Sequence, residues 1–292
     1  MRLTLAVLFA FVAAAAALAG EPTDPVKPIN LTIVNTEKDE DEPHSTVNPA
    51  SNLGQLFYTS AGDLYAASRT AKGWNAGKKN TEFDQLGDFR SIFVAFPKTG
   101  TYPQTVFYAT NADSAKKDGR GDNFDLYMKV RQSASCADFN VAAPILSVCT
   151  PADEMHPWLT AEGKLYFSRK TMDGWRVFVA ARPKAGSPFE KPVMLDLPSG
   201  FHHATLTPDG HTMYLQGPLE KGRWGIFRSS FTDGKWGEPE ELKSLNHGEG
   251  PTGDRSPNLS RNGAYLFFAS DRPGGKGGLD IWWVATEQLK KK

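Results

Sequence analysis

Cysteine occurs only twice in these 292 residues, as Cys136 and Cys149. One disulfide is therefore the most the chain can form. Charge imbalance is missing too, since 33 Lys and Arg stand against 33 Asp and Glu. Without a net field to gather a polyanion, nucleic-acid binding is excluded. Beyond residue 18 no long apolar run recurs, which leaves no stable membrane span. The sequence has no Gly-x-Ser-x-Gly elbow and no phosphate-binding loop, the spacings of a serine hydrolase or a nucleotide enzyme.

What the chain does have is a repeated strand pattern. An aromatic strand recurs at Leu56-Phe57-Tyr58, Val106-Phe107-Tyr108, Leu165-Tyr166-Phe167, Met213-Tyr214-Leu215 and Leu266-Phe267-Phe268. A further strand follows each, at Leu64-Tyr65, Leu126-Tyr127, Val177-Phe178, Ile226-Phe227 and Ile281-Trp282. Copies spaced by about 48–62 residues, built of strands and turns, are the signature of radial blades. The fold class expected is all-β: a single five-bladed β-propeller of four-stranded blades.

The outermost strand of a blade carries Pro followed by aliphatic residues, as in Pro239-Glu240-Glu241-Leu242 and Pro192-Val193-Met194-Leu195. Proline suits an outer strand because one edge there is unpaired. Blade five has no such segment, but Pro28-Ile29-Asn30-Leu31 matches it. The N-terminal segment is thus expected to complete the last blade and cover its edge. The resulting layout is a signal peptide over residues 1–19, a closing strand and acidic connection over 20–43, the propeller over 44–288 and a lysine tail over 289–292.

The pattern Ser256-Pro257-Asn258-Leu259-Ser260, then Ser270-Asp271-Arg272-Pro273-Gly274-Gly275, then Asp280-Ile281-Trp282 resembles the WD-like repeat of TolB-type propellers. The match is partial at His156-Pro157-Trp158-Leu159-Thr160 and at Leu206-Thr207-Pro208-Asp209-Gly210, and the resemblance is strongest over residues 153–288. TolB-type proteins carry an additional N-terminal α/β domain, for which this chain has no room. The resemblance implies the propeller fold and a protein partner in a bacterial envelope.

Met1-Arg2, an apolar stretch over residues 3–18 and the small-x-small site Ala17-Leu18-Ala19 have the form of a secretory signal. Periplasmic or extracellular localisation follows. In that compartment Cys136 and Cys149 are expected to pair, the alternative being two free buried thiols. Asp113, Asp118, Asp122 and Asp125 offer oxygen ligands for Ca²⁺, but their spacing is not that of an EF-hand. No other metal or cofactor is indicated.

Tight polar-Gly turns fall at Glu162-Gly163, Asp209-Gly210 and Asn262-Gly263 on one face of the ring. The opposite face gathers the long polar connections, where binding groups usually sit. Aligning the starts of the inner strands places Asp88, Glu154 and Asp254 at one position. Arg90, His156, His203, Ser256 and Asn48 share another, with His202 and Arg255 between. Arg90, His156, His202, His203, Asp254 and Arg255 are the candidate contacts for an envelope protein or peptide. The bland reading of the same residues is that they cap loops and bond backbone groups between blades. A rival class is a glycoside hydrolase using Asp88, Glu154 and Asp254, since glycosidic cleavage needs two converging carboxylates. Trp158 beside them would suit a sugar, whether cleaved or merely bound; the bland reading is packing between blades.

Overall fold

The computed structural model describes residues 26–47, 53–81, 88–96, 103–112, 123–133, 135, 139–184 and 186–290. It is a five-bladed β-propeller, with five antiparallel sheets following one another along the chain. The inner strands are Glu40–Ser45, Phe89–Ala95, Glu154–Leu159, His202–Leu206 and Asp254–Leu259. The second strands are the aromatic repeats, and they are buried on both faces because each blade packs between two others. Val106, Phe107 and Tyr108 are 0 % exposed although successive side chains point to opposite faces. The hairpin turns expected at Gly163, Gly210 and Gly263 form with φ of 83°, 71° and 71°.

Ring closure follows the sequence pattern. Ile29–Asn30 pairs antiparallel with the third strand of blade five, Ile29 opposite Trp283 and Asn30 opposite Trp282. Leu31 and Val34 then enter the apolar cluster between blades five and one, with Leu56, Tyr58, Leu279 and Ile281. Burying two such side chains is worth about 1.5–3 kcal/mol each. The outer strands at Ile29–Asn30, Ala143–Pro144, Val193–Met194 and Glu240–Glu241 span only two residues, which keeps exposed edges short.

A turn follows the outer strand in three blades and locks it to the third strand. Leu31, Ile145 and Leu242 donate their N–H groups to Ile281, Leu126 and Ile226. Four residues on, Asn35 accepts from the Ile281 N–H at 2.8 Å and donates to its carbonyl at 3.0 Å. Asn246 does the same to Ile226, at 2.8 and 3.1 Å. Cys149 holds the corresponding place in blade two, its thiol donating to the Leu126 carbonyl at 3.5 Å.

The expected disulfide rests on Cys136, which lies outside the described residues; Cys149 is a free thiol turned toward the backbone it latches. The acidic segment is corrected. Glu40–Ser45 is the inner strand of blade one, and Glu40 and Glu42 are buried, so this part of the 20–43 stretch is not a solvated connection. The expected signal sequence over residues 1–19 lies outside the described residues, as do Asn48, Asp113, Asp118 and Asp122. Among the described residues no cluster of metal-ligating side chains occurs, and no helix is long and apolar enough to cross a membrane.

Candidate functional site at the channel

Each inner strand carries a bulge at the same point. Pairing with the second strand skips between Asp41 and His44, Arg90 and Phe93, Met155 and Trp158, His202 and Thr205, and Arg255 and Asn258. The first residue in each gap is Glu42, Ser91, His156, His203 or Ser256, all left-handed with φ between 51° and 56°. For residues other than glycine that conformation costs about 1–3 kcal/mol and persists only where the surroundings impose it. Here neighbouring blades impose it. Ser91 N–H bonds Glu42 at 3.1 Å, His203 N–H bonds Ser168 at 2.9 Å and Ser256 N–H bonds Gln216 at 3.0 Å.

The bulges set the true alignment of the blades. His156, His203 and Ser256 are equivalent, as the sequence suggested. In blade two the equivalent is Ser91 and not Arg90, and in blade one it is Glu42 and not Asn48. Two positions earlier stand Glu40, Phe89, Glu154, Phe201 and Asp254, so Asp88 is one residue out of register with Glu154 and Asp254. The bulge is common to all five blades; the slip in blade two arises because Ser91-Ile92-Phe93 lacks the Pro or Ala that follows the bulged residue at Pro157, Ala204 and Pro257.

The two remaining acids of the hydrolase set are built into their own blades. Glu154 is fully buried and accepts from Thr150 N–H at 3.0 Å, the Thr150 hydroxyl at 2.5 Å and Arg169 Nε at 2.7 Å. Asp254 accepts from His247 N–H at 3.1 Å and Arg272 Nη2 at 2.7 Å. Asp88 is exposed, and its N–H bonds the Asn111 side chain at 2.9 Å. Burial pushes the Glu154 carboxyl up to about 7, with the Thr150 and Arg169 bonds acting against that rise.

Around the axis the bulges gather a different constellation. His156 stacks on His203 with ring centroids 4.0 Å apart, and its Nε2 lies 3.6 Å from Glu42 Oε1. Glu42 also accepts the Ser91 hydroxyl at 2.8 Å. Burial alone would raise the Glu42 carboxyl, but His156, Arg90 and Ser91 together lower it to about 2. His202 lies against Trp175, stacked at 5.3 Å, and meets the edge of Trp224 at 5.2 Å. Both its ring nitrogens are buried without a hydrogen-bond partner among the described residues. Burial, reinforced by the charges of His156 and Arg255, holds His202 and His203 well below the usual histidine range. Arg255 bridges to Asp41 of the neighbouring blade at 2.9 Å.

Of the expected contacts, His156, His202 and His203 are thus brought together, Arg255 pairs with Asp41, and Arg90 acts on Glu42. Asp254 is withdrawn into its ion pair. Sequence reasoning missed Asp41, Glu42 and Trp175. A signal for the first two was present: Thr36-Glu37-Lys38-Asp39-Glu40 repeats the frame of Thr150-Pro151-Ala152-Asp153-Glu154. Both threonines bond the glutamate four residues on, and both aspartates accept the N–H that starts a third strand, Leu279 at 2.9 Å and Phe124 at 3.1 Å.

No protein-family model matches the chain, and no curated protein matches it. Solved structures do. A GH62 hydrolase in complex with xylotriose superposes with a TM-score of 0.61 at 7 % identity, covering 88 % of this chain and 96 % of that one. The endo-arabinase from Bacteroides thetaiotaomicron VPI-5482 gives 0.60 at 13 % identity, covering 88 % and 96 %. The likeness is one of fold. TolB from Acinetobacter baumannii aligns at only 0.44 and 13 % identity, covering 83 % of this chain and 52 % of that one, too distant to carry an argument. Function must be argued from the site.

Proposed function

We propose that this propeller is an exported, non-catalytic binding module of the cell envelope that presents its long-loop face to a protein or peptide. The observation that carries this reading is the commitment of its acids. Glu154 is paired with Arg169, Asp254 with Arg272 and Asp41 with Arg255. Glu40 is bonded by Thr36 and Ser60. Glu42, near pKa 2, is a fixed negative charge and a poor proton donor at neutral pH. What the mouth offers a partner is the Arg255–Asp41 pair and the half-buried Trp175 and Trp224 that flank His202, groups suited to polar and aromatic contacts. Export rests on the basic start, apolar stretch and small-x-small site of residues 1–19.

The rival is a channel-mouth glycoside hydrolase, which would have to depend on Glu42, the acid nearest the stacked histidines. Assay of arabinan, xylan and aryl glycosides with the wild type and Glu42→Gln separates the two. The binding reading expects no turnover by either protein. Hydrolysis by the wild type that the substitution abolishes would replace it with the enzyme reading.

A further inference from the structure

A cavity of about 560 Å³ opens on the hairpin face, at the other end of the channel. That is within the roughly 300–1,000 Å³ of small-molecule sites. Phe93, Phe96, Trp158 and Leu206 give it apolar walls, with Phe93 and Trp158 rings in contact at 4.8 Å. Trp158 also borders a space of only about 10 Å³ at the bulges, next to Glu42, His156 and His203. The large cavity is therefore blind: Trp158 and the His44–Phe93 contact at 4.9 Å close its inner end.

Its charge is one-sided. Arg182, Lys184 and Arg261 stand among its described lining residues against a single carboxylate, Glu162. His44 adds no charge at neutral pH, because burial lowers it to about 3. Arg261 lies over the Phe96 ring at 4.9 Å, so a cation borders the aromatic wall itself. Arg182 is held over Phe189 at 5.2 Å, which fixes a second guanidinium at the cavity wall.

We propose that this cavity binds a small organic anion, its apolar body against Phe93, Phe96 and Trp158 and its carboxylate or sulfonate on the cationic rim. The site is separate from the long-loop face and stands or falls without it.

Calorimetric titration of the full protein with 2-naphthoate, and with neutral 2-naphthylmethanol as its control, tests the assignment. Naphthoate is expected to bind one to one and more tightly than the alcohol. Adding salt should weaken naphthoate alone. Arg182→Gln with Arg261→Gln should cost naphthoate about tenfold in affinity and leave the alcohol unchanged. Lysine at both positions should recover much of that loss. Absence of saturable naphthoate binding to the wild type would overturn the proposal. So would equal affinity for the two probes, or an undiminished affinity in the glutamine variant.

Discussion

Asp254 and Arg255 are neighbours in sequence with opposite tasks. Asp254 is 1 % exposed and bound to Arg272 at 2.7 Å, whereas Arg255 reaches across to Asp41 with a third of its side chain in solvent. Truncating one partner of a buried pair leaves an uncompensated charge. Arg272→Met is expected to destabilise the ring by about 3–5 kcal/mol, and Arg255→Ala by about 0–1 kcal/mol. Urea unfolding followed by tryptophan fluorescence measures both. Equal losses would mean that the two pairs share one role.

The buried histidines His44, His202 and His203 make stability depend on pH. His202 and His203 are held well below 6.5, and His44 at about 3, in each case chiefly by burial. Between those values and 6.5 the unfolded chain binds protons that the fold refuses, so stability falls as pH drops. Glu154 acts oppositely: raised to about 7, it gains protons in the fold first, and acidification from 7 toward 4.5 relieves it. His247, also lowered chiefly by burial, adds to the histidine side, which outweighs Glu154, and the melting temperature is expected to fall from pH 7.5 to 5.5. His203→Gln should flatten that slope by up to roughly 1.4 kcal/mol per pH unit. An unchanged slope would mean that His203 titrates normally.

Asn35 joins the chain's two ends through both polar groups of Ile281. Asn35→Ala strands the buried Ile281 N–H, costing about 1–3 kcal/mol, while the Ile281 carbonyl keeps its bond from the Leu31 N–H. Because that interface also holds Leu31 and Val34, removal of residues up to 34 should lower the unfolding midpoint of the whole ring in a single transition. Loss of only a local signal, with the remaining blades unfolding as before, would contradict the closure.

Cys149 should be inert in the native state. Its thiol is pushed up to about 12 by burial, with Asp125 and Glu154 adding to the rise. Thiolate is the reactive form, so labelling by a soluble aromatic disulfide is expected only at the rate of unfolding. Reductant should leave the melting temperature where it was. A lower midpoint in reductant would show the disulfide instead.

The propeller was legible because its second strands are buried on both faces and therefore read as aromatic repeats, and because Pro28 marks the closing strand by the same rule as Pro192 and Pro239. The channel was legible only in part. His156, His202 and His203 were aligned correctly, since Pro or Ala followed by an aromatic or β-branched residue frames them. Arg90 and Asp88 were one residue out, because Ile92 after the bulged Ser91 stands where the other blades' frame has Pro or Ala. Glu42 was hidden in an acidic run that looks solvated, and only its blade's ring position shows that it is buried. The loop-capping frame ending in Glu40 and Glu154 decides the role of those acids, and it emerges only when two blades are compared.

The most direct measurement of the binding claim is capture from the envelope and secreted fractions of the source organism. The protein without residues 1–19 is compared with an Arg255→Ala, His202→Gln variant whose melting confirms that it is folded. The account expects a protein or peptide retained by the first and lost from the second. Retention of the same partner by both, or of none by either, would contradict the assignment of the long-loop face.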